Sequence, residues 1–145
     1  MPGRATAVRS GDELVREVAA LAGSLDLRVR TQVRVGRRIW GAVRRIDVVL
    51  THTETRRTLG LECKFQRELG TAEEKIPSTI QDIAAWPIRG LVVFSGEGFT
   101  PNMRSFLIAS GKAIELDDLR EWLILYFGLP EAEATSASED GQKDR

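Results

Sequence analysis

Asp47, Glu62 and Lys64 are residues of this 145-residue chain whose types and spacing could do chemistry together. Two carboxylates can hold a divalent cation, and a neighbouring ammonium can position a water or stabilise charge developing on a phosphate. Strand alternation indicates whether the three meet. Ile39 to Thr51 and Thr58 to Gln66 read as strands, with His52 to Arg57 as the polar connection between them. If Thr51 opposes Thr58, Asp47 lies directly opposite Glu62 across the hairpin. By period two, Glu62, Lys64 and Gln66 share one face while Leu61, Cys63 and Phe65 share the other. Ile46, Val48 and Leu50 match the apolar side and Asp47 the polar side. A slip of one residue would turn the acids into the core, so the apolar pattern supports this register independently of the loop.

Two carboxylates placed opposite each other repel, and the conflict is resolved by a cation or by raising one pKa. Mg²⁺ is held by one or two carboxylates and completes its octahedron with waters and phosphate oxygens, which suits Asp47, Glu62 and the backbone carbonyl of Cys63. Lys64 could hold a metal-activated water or simply neutralise the pair. The alternative for the acids is a set of surface ion pairs with Arg45 and Lys64, each worth little.

The remaining elements must position this hairpin. Ser10-Gly11-Asp12 offers an N-cap, and Leu14, Val18, Leu21, Ala22 and Leu25 recur at helical spacing, predicting a helix from Asp12 to Ser24. Glu17 lies at the edge of its apolar stripe, where it could look toward a sheet, and Glu13 lies farther out. Leu27 to Val35 alternates as a strand turned by Gly36-Arg37-Arg38. Arg67 to Lys75 reads as a loop, and Pro77 to Trp86 as a helix that Pro87 ends. The run Leu91-Val92-Val93-Phe94 reads as a strand covered on both faces, closed by Gly96-Glu97-Gly98. A helix from Thr100 to Ala109, a strand from Lys112 to Leu116 and a helix capped by Asp117-Asp118 and stopped at Gly128 complete the order αβββαβαβα. This is an α/β domain with an antiparallel meander first and helix-linked strands after it.

An Asp on one strand, followed across a hairpin by acidic-x-Lys, resembles the PD-(D/E)XK nuclease superfamily; here the residues are Asp47 and Glu62-Cys63-Lys64, with fourteen residues between the acids. The resemblance spans roughly residues 10 to 116 by element order. It implies a restriction-endonuclease-like αβββαβ core, with a central mixed sheet flanked by helices and here a C-terminal helix added. It also implies cleavage of phosphodiester bonds with Mg²⁺ or Mn²⁺, with DNA the commonest substrate and RNA left open. Members often carry a first-helix acid as an auxiliary metal ligand, and Glu17 is the matching position. Gln66 extends the motif to Glu-x-Lys-x-Gln, a form seen in active members. Ile46 rather than Pro precedes Asp47, a common departure. The alternative function is a catalytically inactive module of the same fold that binds nucleic acid or protein.

Composition bounds the rest. Hydrophobic residues make 42% and charged residues 29%, near the globular average, which predicts one domain. We place it at residues 11–128, after a flexible N-terminus at 1–10 and before a disordered acidic tail at 129–145. A net charge of +0 argues against a general nucleic-acid coat, yet residues 1–57 hold 12 Arg against 6 acids while residues 58–145 hold 9 basic residues against 15 acids. The basic half is all Arg, which suits phosphate, although codon bias toward Arg would give the same excess. Arg37, Arg38, Arg45 and Lys75 are the expected contacts to a nucleic-acid backbone. The single Cys63 excludes a disulfide framework and a four-Cys zinc site, and on the apolar face it should be an inert thiol. His52 reads as a surface residue, and Trp40, Trp86 and Trp122 as core or interface anchors. No apolar run approaches the roughly 20 residues of a spanning helix, and the N-terminus lacks a secretory signal, so a cytoplasmic protein is expected. A domain of this size with no separate sequence-reading part suggests recognition of nucleic-acid structure, or a homodimer that cuts two strands.

Overall fold

The computed structural model describes residues 10–37, 41, 43–66 and 76–130. Ser10 accepts the Glu13 N–H at 3.1 Å and starts α1 (Gly11–Ser24). Three strands follow, β1 (Arg28–Arg37), β2 (Val43–Thr51) and β3 (Thr58–Phe65), then α2 (Ile76–Ala84), β4 (Gly90–Ser95), α3 (Pro101–Ala109), β5 (Ala113–Glu115) and α4 (Leu119–Phe127). The order is the one expected. The strands form one mixed sheet in the order β1-β2-β3-β4-β5, antiparallel between β1, β2 and β3 and parallel from β3 to β5. Such a layout follows from the connections: short links reverse the chain, whereas α2 and α3 carry it back across the sheet.

Helices cover both faces. On one side Leu14, Val18 and Ala22 of α1 meet Val48, Leu50, Leu59, Leu61, Cys63, Leu91 and Val93, and Leu119, Leu123 and Phe127 of α4 join them. On the other side Ile83 and Trp86, from α2 and the turn after it, cover Ile46, Val49 and Val92, and Phe94 packs with Phe99 and Leu107 beside α3. Complete burial of a Leu or Val contributes about 1.5–3 kcal/mol, so these two layers hold the sheet without covalent staples. Gly60 and Gly90 permit the second layer, since a Cβ at either would lie 2.8 Å from the Trp86 ring. Gly60→Ala should therefore cost about 1–3 kcal/mol in a urea titration, because the indole is buried and cannot swing away.

Several expected boundaries shift. The chain does not turn at Gly36: β1 continues to Arg37, with a register shift between Arg34 and Gly36. Gly36 has φ 126, so it absorbs one extra residue as a bulge instead of ending the strand. The described part of β2 begins at Val43 rather than Ile39. A 3₁₀ turn at Leu116–Asp118 leads into α4, and Asp118 makes no capping bond. Gly128, at φ 68, ends α4 as expected. The expected loop at Arg67 to Lys75, the residues Arg38 and Trp40, the first nine residues and the tail from Glu131 lie outside the described residues. Among the described residues no helix is long and apolar enough to cross a membrane.

Candidate active site

The β2–β3 ladder pairs Thr51 with Thr58 and runs to Val48 opposite Leu61, the register expected from alternation. Asp47 and Glu62 are the next step beyond its last pair. There the ladder gives way to a side chain: Asp47 Oδ2 accepts the Cys63 N–H at 2.8 Å. A carboxylate has taken the acceptor role beside β3, which fixes Asp47 between the two strands.

The alternation rule fails at this point, and it fails on two strands at once. Val29 packs on the α1 side, but Val33 and Val35, of the same parity, pack on the α2 side. Val48 and Leu50 face α1, whereas Ile46 joins Ile83 and Trp86 on the α2 side. Ile46 therefore does not share the apolar face of Leu61 and Cys63, contrary to expectation. The reversal falls at Gln32 and Asp47, which the β1–β2 register sets opposite each other between the pairs Thr31↔Val48 and Val33↔Ile46. Gln32 has φ 53, the left-handed backbone that turns a strand about its own axis. As a result Arg44 points toward α2 and forms an ion pair with Asp82, at 3.1 Å from both Nε and Nη2 to Oδ1. Period two sets Arg45 on the face of Asp47, beside the acids, but Arg45 is exposed and alternates with Arg44, which points toward α2, so it does not share the face of Glu62.

Glu62 projects beneath α2 from the same face as Gly60, and its neighbours strain its charge. Burial, then the Asp47 carboxylate, with a smaller push from Asp82, raises its pKa from 4.5 to about 7; Lys64 opposes the rise. Lys64 Nζ lies 3.5 Å from Glu62 Oε2. Asp47 has only Gln32 and Cys63 as hydrogen-bonding partners among the described residues, so the surface pair with Arg45 is not formed. Burial, with Asp47 and Glu62 adding to it, pushes the Cys63 thiol well above its ordinary range, consistent with an inert thiol.

Parallel pairing with β4 carries Glu62, Lys64 and Phe65 as far as Ser95. Gln66 then closes the end of the sheet. Its side-chain amide is buried and donates to Gly98 O at 2.7 Å, while its backbone carbonyl accepts the Gly98 N–H at 2.8 Å. A Cβ on Gly96, at φ 110, would collide with that carbonyl. Arg104 donates to Gly96 O at 3.0 Å and is ion-paired to Glu115, bracing the same turn. Gly96→Ala should lower stability by about 2–3 kcal/mol, read as a shifted urea midpoint at unchanged slope.

A family model described as a PD-(D/E)XK nuclease superfamily domain matches residues 6–126. The chain belongs to the PD-(D/E)XK nuclease superfamily. No curated protein and no solved structure matches it. The five-stranded mixed sheet flanked by helices is consistent with the restriction-endonuclease-like fold of that superfamily. PD-(D/E)XK nucleases generally use divalent metals. The donor chemistry here fits one: the Asp47 and Glu62 carboxylates are partly desolvated and act on each other, and their repulsion, which helps to raise the Glu62 pKa to about 7, is what a cation would relieve. Among the described residues no three His, Cys, Asp or Glu form a metal-holding cluster, so Glu17, half-buried on α1, does not assemble with the pair. An Mg²⁺-like ion with two protein carboxylates would take its other positions from water and phosphate.

Of the expected backbone contacts, Arg37 is exposed, with Nη1 donating to Gly41 O at 2.7 Å, and Arg45 is exposed. Arg38 and Lys75 lie outside the described residues. Sequence reasoning missed Gln32, Arg44 and Asp82. A signal existed for Asp82, four residues before Trp86 and beside Ile83 on the buried face of α2. Gln32 interrupts a run of alternating arginines, a weaker sign.

Proposed function

We propose that this chain hydrolyses phosphodiester bonds of DNA with Mg²⁺ or Mn²⁺, using Asp47 and Glu62 as metal ligands and Lys64 to position the attacking water. The observation that carries this reading is the half-buried acid pair at the end of the hairpin ladder, with Lys64 3.5 Å from Glu62. A bound divalent ion would polarise the scissile phosphate and lower the pKa of a bound water. Asp47, anchored through Oδ2 by the Cys63 N–H, would offer its other oxygen, which the Gln32 amide faces, to the ion. Asp47 and deprotonated Glu62 would hold the ion, and with the Glu62 charge balanced by it, Lys64 would be available to the water or to negative charge on the phosphate. Cys63 would add its backbone carbonyl to this site, while Gln66 supports Lys64 from the braced turn.

Cleavage assays with single-stranded, duplex and branched DNA in Mg²⁺ or Mn²⁺ test the reading. Metal-dependent cleavage is expected; Mn²⁺ failing to bind and no substrate being cut would point to a non-catalytic binding module. A homodimer would supply two such sites for duplex cleavage, which the mass in solution reports.

Arg37, Arg38 and Lys75 are proposed to contact the phosphate backbone, positioning the strand without reading its sequence. Binding measured in Ca²⁺ should lose about 0.7–0.9 of its log–log salt slope for each contact removed by substitution with Gln. Arg45→Gln should lose less, since Arg45 lies on the far side of β2. An unchanged slope in Arg37→Gln/Arg38→Gln would send the strand along another path.

A further inference from the structure

Gln32 stands in a backbone conformation that residues with a Cβ rarely adopt, in the middle of a strand, directly across from Asp47. Conformations of this kind persist only where the surrounding structure over-determines them, and they cluster at functional sites. Two consequences are visible. The twist at Gln32 turns both strands, sending Ile46 and Arg44 to α2 and leaving Asp47 to reach across to the Cys63 N–H. The same twist directs the Gln32 side chain at Asp47, with Nε2 3.4 Å from Oδ1. That contact is longer than an ideal hydrogen bond, as such contacts often are before a site is loaded. One carboxylate oxygen is thus held by backbone and the other is faced by an amide.

We propose that Gln32 is a positioning residue, whose left-handed backbone and side-chain amide together set the direction of the Asp47 carboxylate. It touches neither substrate nor metal; it acts through Asp47, in the way that neighbours of a metal ligand fix its orientation. An amide suits the role better than its neighbours on β1 would, because the charge of an Arg facing Asp47 would neutralise the carboxylate and compete with a cation. The amide donates a hydrogen bond and leaves the charge in place. This inference rests on the proposed metal-dependent reading of the site, and its test separates the two.

Two variants divide the backbone from the amide. Gln32→Gly removes the side chain but accepts the left-handed backbone freely, and Gln32→Asn tolerates that backbone while drawing the amide back by one methylene. Three measurements follow: apo melting, the Mn²⁺ concentration that gives half-maximal thermal stabilisation, and kcat at saturating Mn²⁺. Both variants should melt within about 3 °C of the parent. Both should need roughly tenfold more Mn²⁺, the lower end of the loss typical for groups that orient a ligand, with kcat lowered as well. In an Asp47→Asn background Gln32→Gly should change nothing further. A metal response like the parent's in Gln32→Asn, with a loss confined to Gln32→Gly, would assign the effect to chain flexibility and overturn the proposal. An equal loss with Asp47 already replaced would overturn it too. If the parent itself fails to bind Mn²⁺, the proposed function falls. The Gln32 side-chain amide resonances then decide this contact alone: they should move on Asp47→Asn in the apo protein, and unmoved resonances would reject it.

Discussion

Under the proposed function, Asp47→Asn and Glu62→Gln should each lower the rate of DNA cleavage by about 10³-fold or more while the chain remains folded, because each would remove one of the two carboxylates proposed to hold a cation whose transition-state stabilisation is worth several kcal/mol. The choice of Asn at position 47 matters. Its carbonyl can still accept the Cys63 N–H, whereas Ala would leave that donor unmatched at the end of the ladder at a cost of about 1–3 kcal/mol. An Asp47→Ala protein that lost activity would therefore confuse a damaged strand pair with a lost ligand, and the relief of repulsion expected from removing an acid would be offset. Lys64→Met should fall by about 10²-fold, as for removal of one charge-stabilising donor. Single-turnover rates with circular dichroism on the same samples check all three. Full activity in Asp47→Asn would remove Asp47 from the mechanism.

Glu62→Gln should stabilise the metal-free protein at pH 8 and not at pH 4. In the folded chain Glu62 keeps its proton up to about pH 7, but when unfolded it loses the proton near its ordinary value of 4.5. Between those values the folded state holds more protons than the unfolded one, so stability falls as pH rises through that window and stays low above it. The full shift would correspond to up to about 3 kcal/mol, the Glu62 side chain being 22% exposed and so only modestly screened. Gln carries no such cost, and the released Lys64, at 37% exposure, returns to water cheaply. A gain of roughly 4–8 °C in Tm at pH 8 is expected for about 2 kcal/mol, vanishing toward pH 4. Mn²⁺ should reverse the ranking at pH 8, since a ligand at 100 times its Kd adds about 2.7 kcal/mol to the parent alone. Equal pH profiles for the two proteins would mean that Glu62 is ionised throughout and that its neighbours do not strain it.

Much of this molecule is legible in its residues because the rules involved are local. Periodicity and punctuation by Gly and Pro define nine elements in their correct order, and the short polar link between Thr51 and Thr58 sets the β2–β3 register. The motif acids fall on the strands where that register brings them side by side. Local rules stop at Gln32 and Asp47. Period two assumes that every residue of a strand keeps the same hand, and one left-handed residue reverses the faces of two strands beyond it. No spacing along β2 reveals this, because the residue responsible lies on β1. The strain on Glu62 is equally non-local: it comes from burial and from Asp47 and Asp82, and Asp82 sits on a helix twenty residues later in the chain, lying over the sheet. Chain order and alternation determined which residues could form the site. Tertiary structure alone decided how far they are desolvated and where their charges point, because burial and orientation depend on groups that meet only when the layers close.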